Sequence, residues 1–170
     1  YYPDGMLYRL EHYAKGKRNG MTQKFYPSGA LMEMLYEKDN SRHGRFDSWW
    51  ENGNPKEESV YFNGRHDDVA KTYYEDGTLK EQTEYTTGGK KHGLSKLYGK
   101  DGKILAEAMY ANGNPSWIKQ YYPDGKLKEH ALYNDRGRQN GLTTRYYSSG
   151  KVSSMTIYED GQRKSSRRYD

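Results

Sequence analysis

The chain has 170 residues, the length of one domain or at most two, and a net charge of only +5. Leu, Ile, Val and Phe together number 20, about 12% of the chain, too few for a thick apolar core, while 19 Tyr argue against a disordered, charge-rich chain. With no Cys there is no disulfide framework and no thiolate nucleophile or metal ligand, and no apolar run approaches the ~18 residues of a membrane span. Missing cysteines suit a reducing cytosol and equally an exported protein that does without disulfides, so localisation stays open.

Taken in chain order, the predicted elements repeat one pattern. The first opens on Tyr1-Tyr2, turns at Pro3-Asp4-Gly5, resumes at Leu7 and closes on Tyr13. The second runs Phe25-Tyr26, Gly29, Leu31, Tyr36; the third Trp49-Trp50, Gly53, Pro55, Tyr61; the fourth Tyr73-Tyr74, Gly77, Leu79, Tyr85. The fifth follows with Leu97-Tyr98, Gly102, Ile104, Tyr110, the sixth with Tyr121-Tyr122, Gly125, Leu127, Tyr133, and the seventh with Tyr146-Tyr147, Gly150, Val152, Tyr158. Opening residues are spaced 24, 24, 24, 24, 24 and 25 apart, and these slots absorb 17 of the 19 Tyr. Such periodicity marks a repeat protein, with repeats at 1–24, 25–48, 49–72, 73–96, 97–120, 121–145 and 146–168 in one domain spanning 1–170; Tyr169 opens an eighth.

Glycine punctuates every ten to twelve residues and leaves no 3.6-residue apolar stripe, which excludes helices. The first turn of each repeat, as in Glu75-Asp76-Gly77, suits a three-residue hairpin loop closed by a glycine at positive φ. The second turn, as in "TGGKKHG" at 87–93, looks looser. Each repeat therefore reads as a β-hairpin, and the fold as an all-β, elongated single-layer antiparallel sheet of about 14 strands. A three-residue loop sets Tyr1 across from Leu7, and simple alternation then puts Tyr13 on the face of Leu7. By the same alternation the second aromatic falls on the opposite face, joined by Leu35, Val60, Met109, Leu132 and Ile157.

A repeat of this form, best seen in "YYEDGTLKEQTEYTTGGKKHG" at 73–93, resembles the variant MORN repeat of bacterial YwqK-type antitoxins from toxin–antitoxin systems. The resemblance covers nearly the whole chain. It departs at "EKDNSRHG" (37–44), "GRHDDV" (64–69) and "GNPSWI" (113–118), where turn glycines are missing and altered second turns are expected. It implies a hairpin scaffold for interaction with a protein partner, a toxin if the antitoxin role carries over. It brings no catalytic residues and no cofactor.

Chemistry beyond binding finds little support. His12, His43, His66, His92 and His130 form no ligand motif, and His43 and His92 fill one turn slot; no metal site is expected. Glu33, Glu57, Glu81 and Glu129 recur a repeat apart, as solvated or Lys-paired carboxylates do. The chain is expected to be no enzyme. Two surfaces are candidates for binding. One is the row of second aromatics Tyr26, Trp50, Tyr74, Tyr98 and Tyr122, a composition suited to a protein interface. The other is a basic second-turn edge of Lys17, Arg18, Arg42, Lys90, Lys91, Arg136, Arg138, Arg163 and Lys164, suited to anionic lipid or nucleic acid. Binding of surface glycans and self-association through sheet edges complete the alternatives.

Overall fold

The computed structural model describes all 170 residues and contains strands but no helix. It comprises two compact units, residues 1–90 and 91–170. The N-terminal unit holds β1 (Arg9–Leu10), β2 (Tyr13–Ala14), β3 (Lys17–Arg18), β4 (Gly20–Phe25), β5 (Leu31–Lys38), β6 (Ser41–Trp49), β7 (Pro55–Phe62), β8 (Arg65–Tyr73) and β9 (Leu79–Tyr85). Here β2 and β3 form a small separate hairpin, and the others lie side by side in one antiparallel sheet in the order β1-β4-β5-β6-β7-β8-β9. The C-terminal unit holds β10 (Gly93–Tyr98), β11 (Ile104–Ala111), β12 (Asn114–Tyr121), β13 (Leu127–Leu132), β14 (Gly141–Tyr146), β15 (Val152–Glu159) and β16 (Gln162–Arg168), again an antiparallel sheet in chain order. Each unit is one layer thick, as the shortage of aliphatic side chains requires.

The first turns have the expected loop. Tyr74 N–H donates to the Thr78 carbonyl at 2.9 Å and Gly77 N–H to the Tyr74 carbonyl at 2.9 Å, enclosing three residues. Gly77 sits at φ 87°, a backbone region that only glycine enters without a Cβ penalty. Beyond the loop, the first aromatic faces the aliphatic slot as expected: Phe25 opposite Leu31, Trp49 opposite Pro55, Tyr73 opposite Leu79, Tyr121 opposite Leu127, and Tyr146 opposite Val152.

One residue further on, each of these hairpins carries a β-bulge, and the extra residue is Met32, Lys56, Lys80, Lys128 or Ser153. An extra residue reverses the face of everything after it. This corrects the simple alternation: the closing Tyr lies on the face opposite the first aromatic and the aliphatic slot. Tyr73 and Tyr121 confirm the geometry from the other face. Their hydroxyls donate to Glu58 and Glu107, both at 2.7 Å.

Second turns are tighter than their polar sequences suggest. Asp39-Asn40, Asn63-Gly64, Asn112-Gly113 and Asp160-Gly161 are two-residue loops with both φ values positive, the geometry that matches strand twist. Only 86–92 and 133–140 form longer loops. The departures at 37–44, 64–69 and 113–118 thus keep strand pairing close to a tight turn. At 64–69 a non-glycine residue, Asp68, takes φ 58° where Gly44 takes φ 90° one hairpin earlier.

Burial concentrates in one central row per unit. In the N-terminal unit the row is Thr22, Leu35, Phe46, Ser59 and Thr83, all buried. In the C-terminal unit it is Ser95, Ala108, Ala131, Thr143 and Thr156. Most of these residues are small, and between Ala108 and Ala131 the row passes through half-buried Ile118. The one aromatic in the row, Phe46, meets Tyr61 edge-on at 5.8 Å, and with Leu35 they form the only sizeable buried apolar cluster. Leu35 therefore joins the core row, not the face of Val60 and Met109. In the slot where Tyr61 follows Ser59, the second repeat places Glu37, and Tyr36 turns out to solvent. Buried Glu37 accepts the Thr22 hydroxyl at 2.8 Å and pairs with Arg18 at 3.3 Å.

Candidate interaction surfaces

The second aromatics sit where the first turn meets the sheet, half-buried rather than exposed. Their polar tips clasp the neighbouring repeat. Tyr26 hydroxyl donates to the Trp49 carbonyl at 2.9 Å, and the Trp50 indole N–H reaches toward the Tyr73 carbonyl at 3.4 Å. In the C-terminal unit, Tyr122 hydroxyl donates to the Tyr146 carbonyl at 2.7 Å. The residue after the turn adds a second clasp: Asn54 Nδ2 to the Glu75 carbonyl at 2.8 Å, Lys103 Nζ to Pro123 at 3.1 Å and Lys126 Nζ to Ser148 at 2.9 Å. Within each unit, adjacent repeats are thus tied at the turns as well as through their strands.

The bulge residues cover these rings. Lys56 Nζ lies 4.6 Å from the centre of the Trp50 ring, Lys80 Nζ 5.6 Å from Tyr74 and Lys128 Nζ 5.9 Å from Tyr122. The three lysines are exposed, so the row presents ammonium groups seated on rings. Tyr98 does not belong to it. Its strand position pairs with Ile104, which puts Tyr98 in the first-aromatic slot and Gly99 in the second. A ring is missing there, and the bulge residue Leu105 occupies the space beside Gly99. Tyr98 stands four residues before the turn glycine Gly102, as Tyr73 does before Gly77, so a fixed period of 24, which picks Leu97, misplaces it by one.

The basic second-turn residues are largely neutralised or turned inward. In the N-terminal unit, Lys17 pairs with Asp39 at 3.5 Å and Arg18 with Glu37 at 3.3 Å. Arg42 lies over the Phe46 and Tyr61 rings at 4.8 and 5.1 Å and donates to the Tyr61 hydroxyl at 3.2 Å. Lys90 is exposed. In the C-terminal unit, Lys91 covers the Tyr110 ring at 5.3 Å, Arg138 pairs with Asp160 at 2.8 Å and Lys164 with Glu159 at 3.1 Å. Arg136 and Arg163 are exposed.

The histidines pack as aromatic bodies. His66 is held between Tyr61 and Tyr85, with ring centroids at 4.4 and 4.9 Å, and burial pushes its pKa down. His130 is also lowered, by burial first and then by the Lys119 charge. Beside His66, Glu57 and Glu81 line a shallow groove of about 140 Å³. Both carboxylates accept neighbouring hydroxyls, from Ser59 at 2.8 Å and Thr83 at 2.9 Å. Glu33 and Glu129 instead pair with Lys24 at 2.7 Å and Arg145 at 2.6 Å. No group of three or more His, Asp or Glu could hold a metal ion, and no helix is long and apolar enough to cross a membrane. Burial followed by the bond to a carboxylate raises Tyr73 and Tyr121 to about 12 each.

The sequence placed Met109, Leu132 and Ile157 on one face, and the structure adds Leu94, Trp117 and Leu142 to them as a further surface. On the C-terminal unit, Leu94, Met109, Trp117 and Leu132 are successive cross-strand partners, and Leu142 pairs with Ile157. Leu132 and Leu142 stand two residues beyond the His130–Thr144 pair and share its face. The signal was present in the sequence, since Leu94 and Leu142 each follow the last turn glycine, Gly93 or Gly141.

The model of the MORN repeat variant matches residues 42–63, 69–86, 91–112, 118–135 and 139–160, together more than half of the chain. No curated protein matches. Among solved structures, the chain is similar to TarM at 12% identity and a TM-score of 0.32, covering 73% of this chain and 19% of that one. It is also similar to a point mutant of S. aureus TarM in complex with fondaparinux, alpha-GlcNAc-glycerol and UDP, at 11% identity and a TM-score of 0.34, covering 78% of this chain and 21% of that one. The chain spans about a fifth of the length of those proteins. The matched segments centre on the first-turn hairpins β6–β7, β8–β9, β10–β11, β12–β13 and β14–β15. With five hairpins each matching one repeat of that description, the chain belongs to the MORN repeat variant family.

Proposed function

We propose that this chain is a non-enzymatic scaffold for protein–protein interaction, and that its partner is a toxin, as the antitoxin-like repeat at 73–93 suggests. Repeats of this family generally serve as protein- or membrane-binding scaffolds. The observation that carries the reading is the recurring ring-and-ammonium pair: Lys56 on Trp50, Lys80 on Tyr74 and, in the other unit, Lys128 on Tyr122. Rings tied to the next repeat's backbone hold their shape before a partner arrives, which lowers the ordering cost of binding. The exposed ammonium groups supply the contact.

The test is co-purification with the product of the neighbouring gene, followed by growth of cells expressing that product with and without this chain. Replacing Lys56, Lys80 and Lys128 together by Glu should weaken the complex at least tenfold while the melting temperature holds. Unchanged affinity in a folded triple variant removes the aromatic row as the binding surface. Unaltered growth in the absence of the chain removes the antitoxin role.

Exposed Lys90, Arg136 and Arg163 favour a second reading, an anionic lipid surface. Flotation with phosphatidylserine vesicles across salt concentrations tests it, since such binding must weaken steeply with salt.

A further inference from the structure

The two units differ in charge. Residues 91–170 carry 15 Lys and Arg against 8 Asp and Glu, whereas residues 1–90 carry 13 against 15. The more basic unit also carries the apolar stripe of Leu94, Met109, Trp117, Leu132, Leu142 and Ile157. Its opposite face already holds the buried row of Ser95, Ala108, Ala131, Thr143 and Thr156, so the stripe is not this unit's core. Leu142 is 41% exposed and Ile157 50%. We propose that this stripe docks an amphipathic helix of a partner protein, with apolar residues along the contact and acidic residues on the shoulder that faces Lys96 and Lys119.

The stripe crosses its strands at right angles, so the backbone groups beneath it are committed to the sheet and cannot pair with an added strand. Side chains must do the binding. Six strands at about 4.8 Å spacing give a stripe about 24 Å long, the length of a helix of about 16 residues. Helical turns of about 5.4 Å nearly match the strand spacing, so apolar residues at i, i+4 and i+7 drop between successive stripe residues. Cations line one side of this track. Along the strands on one side stand Lys96 and Lys119, the latter with its ammonium 5.0 Å from the Trp117 ring. The one carboxylate between them, Glu107, is engaged by the Tyr121 hydroxyl at 2.7 Å and faces Lys96 at 4.0 Å. Toward the second turns, exposed Arg163 pairs with Tyr158 and so belongs to the opposite face, and the carboxylate beside Ile157, Glu159, is held by Lys164 at 3.1 Å. A helix with an acidic shoulder toward Lys96 and Lys119 meets opposite charge there.

This inference rests on the scaffold reading and is tested apart from it. The probe is a fluorescent helical peptide of about 18 residues with Leu on one face and Glu elsewhere, titrated against the full chain. Its counterpart has Lys in place of Glu. The Leu/Glu peptide should bind and the Leu/Lys peptide should not. Leu142→Asp with Ile157→Asp should weaken binding at least tenfold, and Val60→Asp in the N-terminal unit should leave it unchanged. Should the double variant lose its cooperative melt, Leu142→Asn at the exposed site takes its place, with a severalfold loss expected. Equal binding of both peptides, unchanged affinity in the folded variants, or a dimer of the chain that these variants dissolve each overturns the proposal. A toxin that binds wild type and folded stripe variant alike would overturn the stripe while leaving the scaffold role intact.

Discussion

The two units use the same hairpin and the same bulge to present different surfaces. In residues 91–170 the row Leu94, Met109, Trp117, Leu132, Leu142, Ile157 is continuous and apolar. The corresponding row in residues 1–90 includes Arg45 opposite Val60 and Val69 opposite Glu84, so charge interrupts it. Arg45 is further committed to Asp47 at 2.7 Å. The opposite faces differ too: Phe46, Tyr61 and Leu35 form a buried cluster in the first unit, where the second sets Ile118 among small side chains in its central row. Turn glycines and bulges set where a row runs, while its chemistry is free to vary from unit to unit. A repeat lattice thus separates the geometry of a binding surface from its specificity.

The largest expected effect comes from striking the feature that the second unit lacks. Phe46→Ala removes the centre of the only apolar cluster and should cost about 3–4 kcal/mol in denaturant melts, with amide exchange accelerating first within 1–90. The reverse insult is Ala131→Leu, which forces bulk into a fully covered site beside Ile118 and should cost about 1–3 kcal/mol. A smaller loss at Phe46 than at Ala131 would break the contrast between an aromatic core and a small-residue row.

Alkali should affect both units alike. Tyr73 and Tyr121 each ionise near pH 12 in the folded chain against about 10 when unfolded. The folded state therefore holds protons that the unfolded state releases in that interval, and stability is full below pH 10 and lost as pH rises toward 12. Thermal melts between pH 9 and 12 should show the fall, with a shallower slope in Tyr73→Phe and Tyr121→Phe. On the acid side the lowered pKa of His66 gives the opposite sign: its contribution is present above about pH 6.5 and lost below it, and His66→Phe should flatten that decline.

Smaller effects sharpen the comparison at the turns. Tyr26→Phe and Tyr122→Phe remove equivalent hydroxyl clasps, one per unit, and each should cost about 1 kcal/mol. The smallest change is a gain. Asp68→Gly relieves a residue held at φ 58° and should stabilise the N-terminal unit by about 0.5–1 kcal/mol, read as a raised melting temperature.

Hairpin identity, the three-residue first turn and the pairing of Tyr73 with Leu79 were all legible in the residues, because each depends on local chemistry. Glycine at positive φ, Asp or Asn before it and alternating strands act within a few residues of one another. Two positions misled for the same reason. Tyr36 stands five residues after Leu31, where Tyr85 stands six after Leu79, so Glu37 takes the closing slot; Tyr98 stands four before Gly102, as Tyr73 does before Gly77, and takes the opening slot. A fixed period of 24 passes over such one-residue changes of spacing, which distance from the turn glycine records.

The candidate surfaces were legible only as lists of residues. The sequence by itself determined that aromatic rings recur beside glycine turns and that cations gather near the second turns. Tertiary structure decided what those groups do: Arg42 caps two rings, Tyr26 and Tyr122 clasp backbone, and Leu94 lines up with Trp117 and Ile157. The physical reason is the bulge after each aliphatic slot. Its extra residue reverses the face of every side chain that follows, a consequence of how strands pair that no spacing along the chain records.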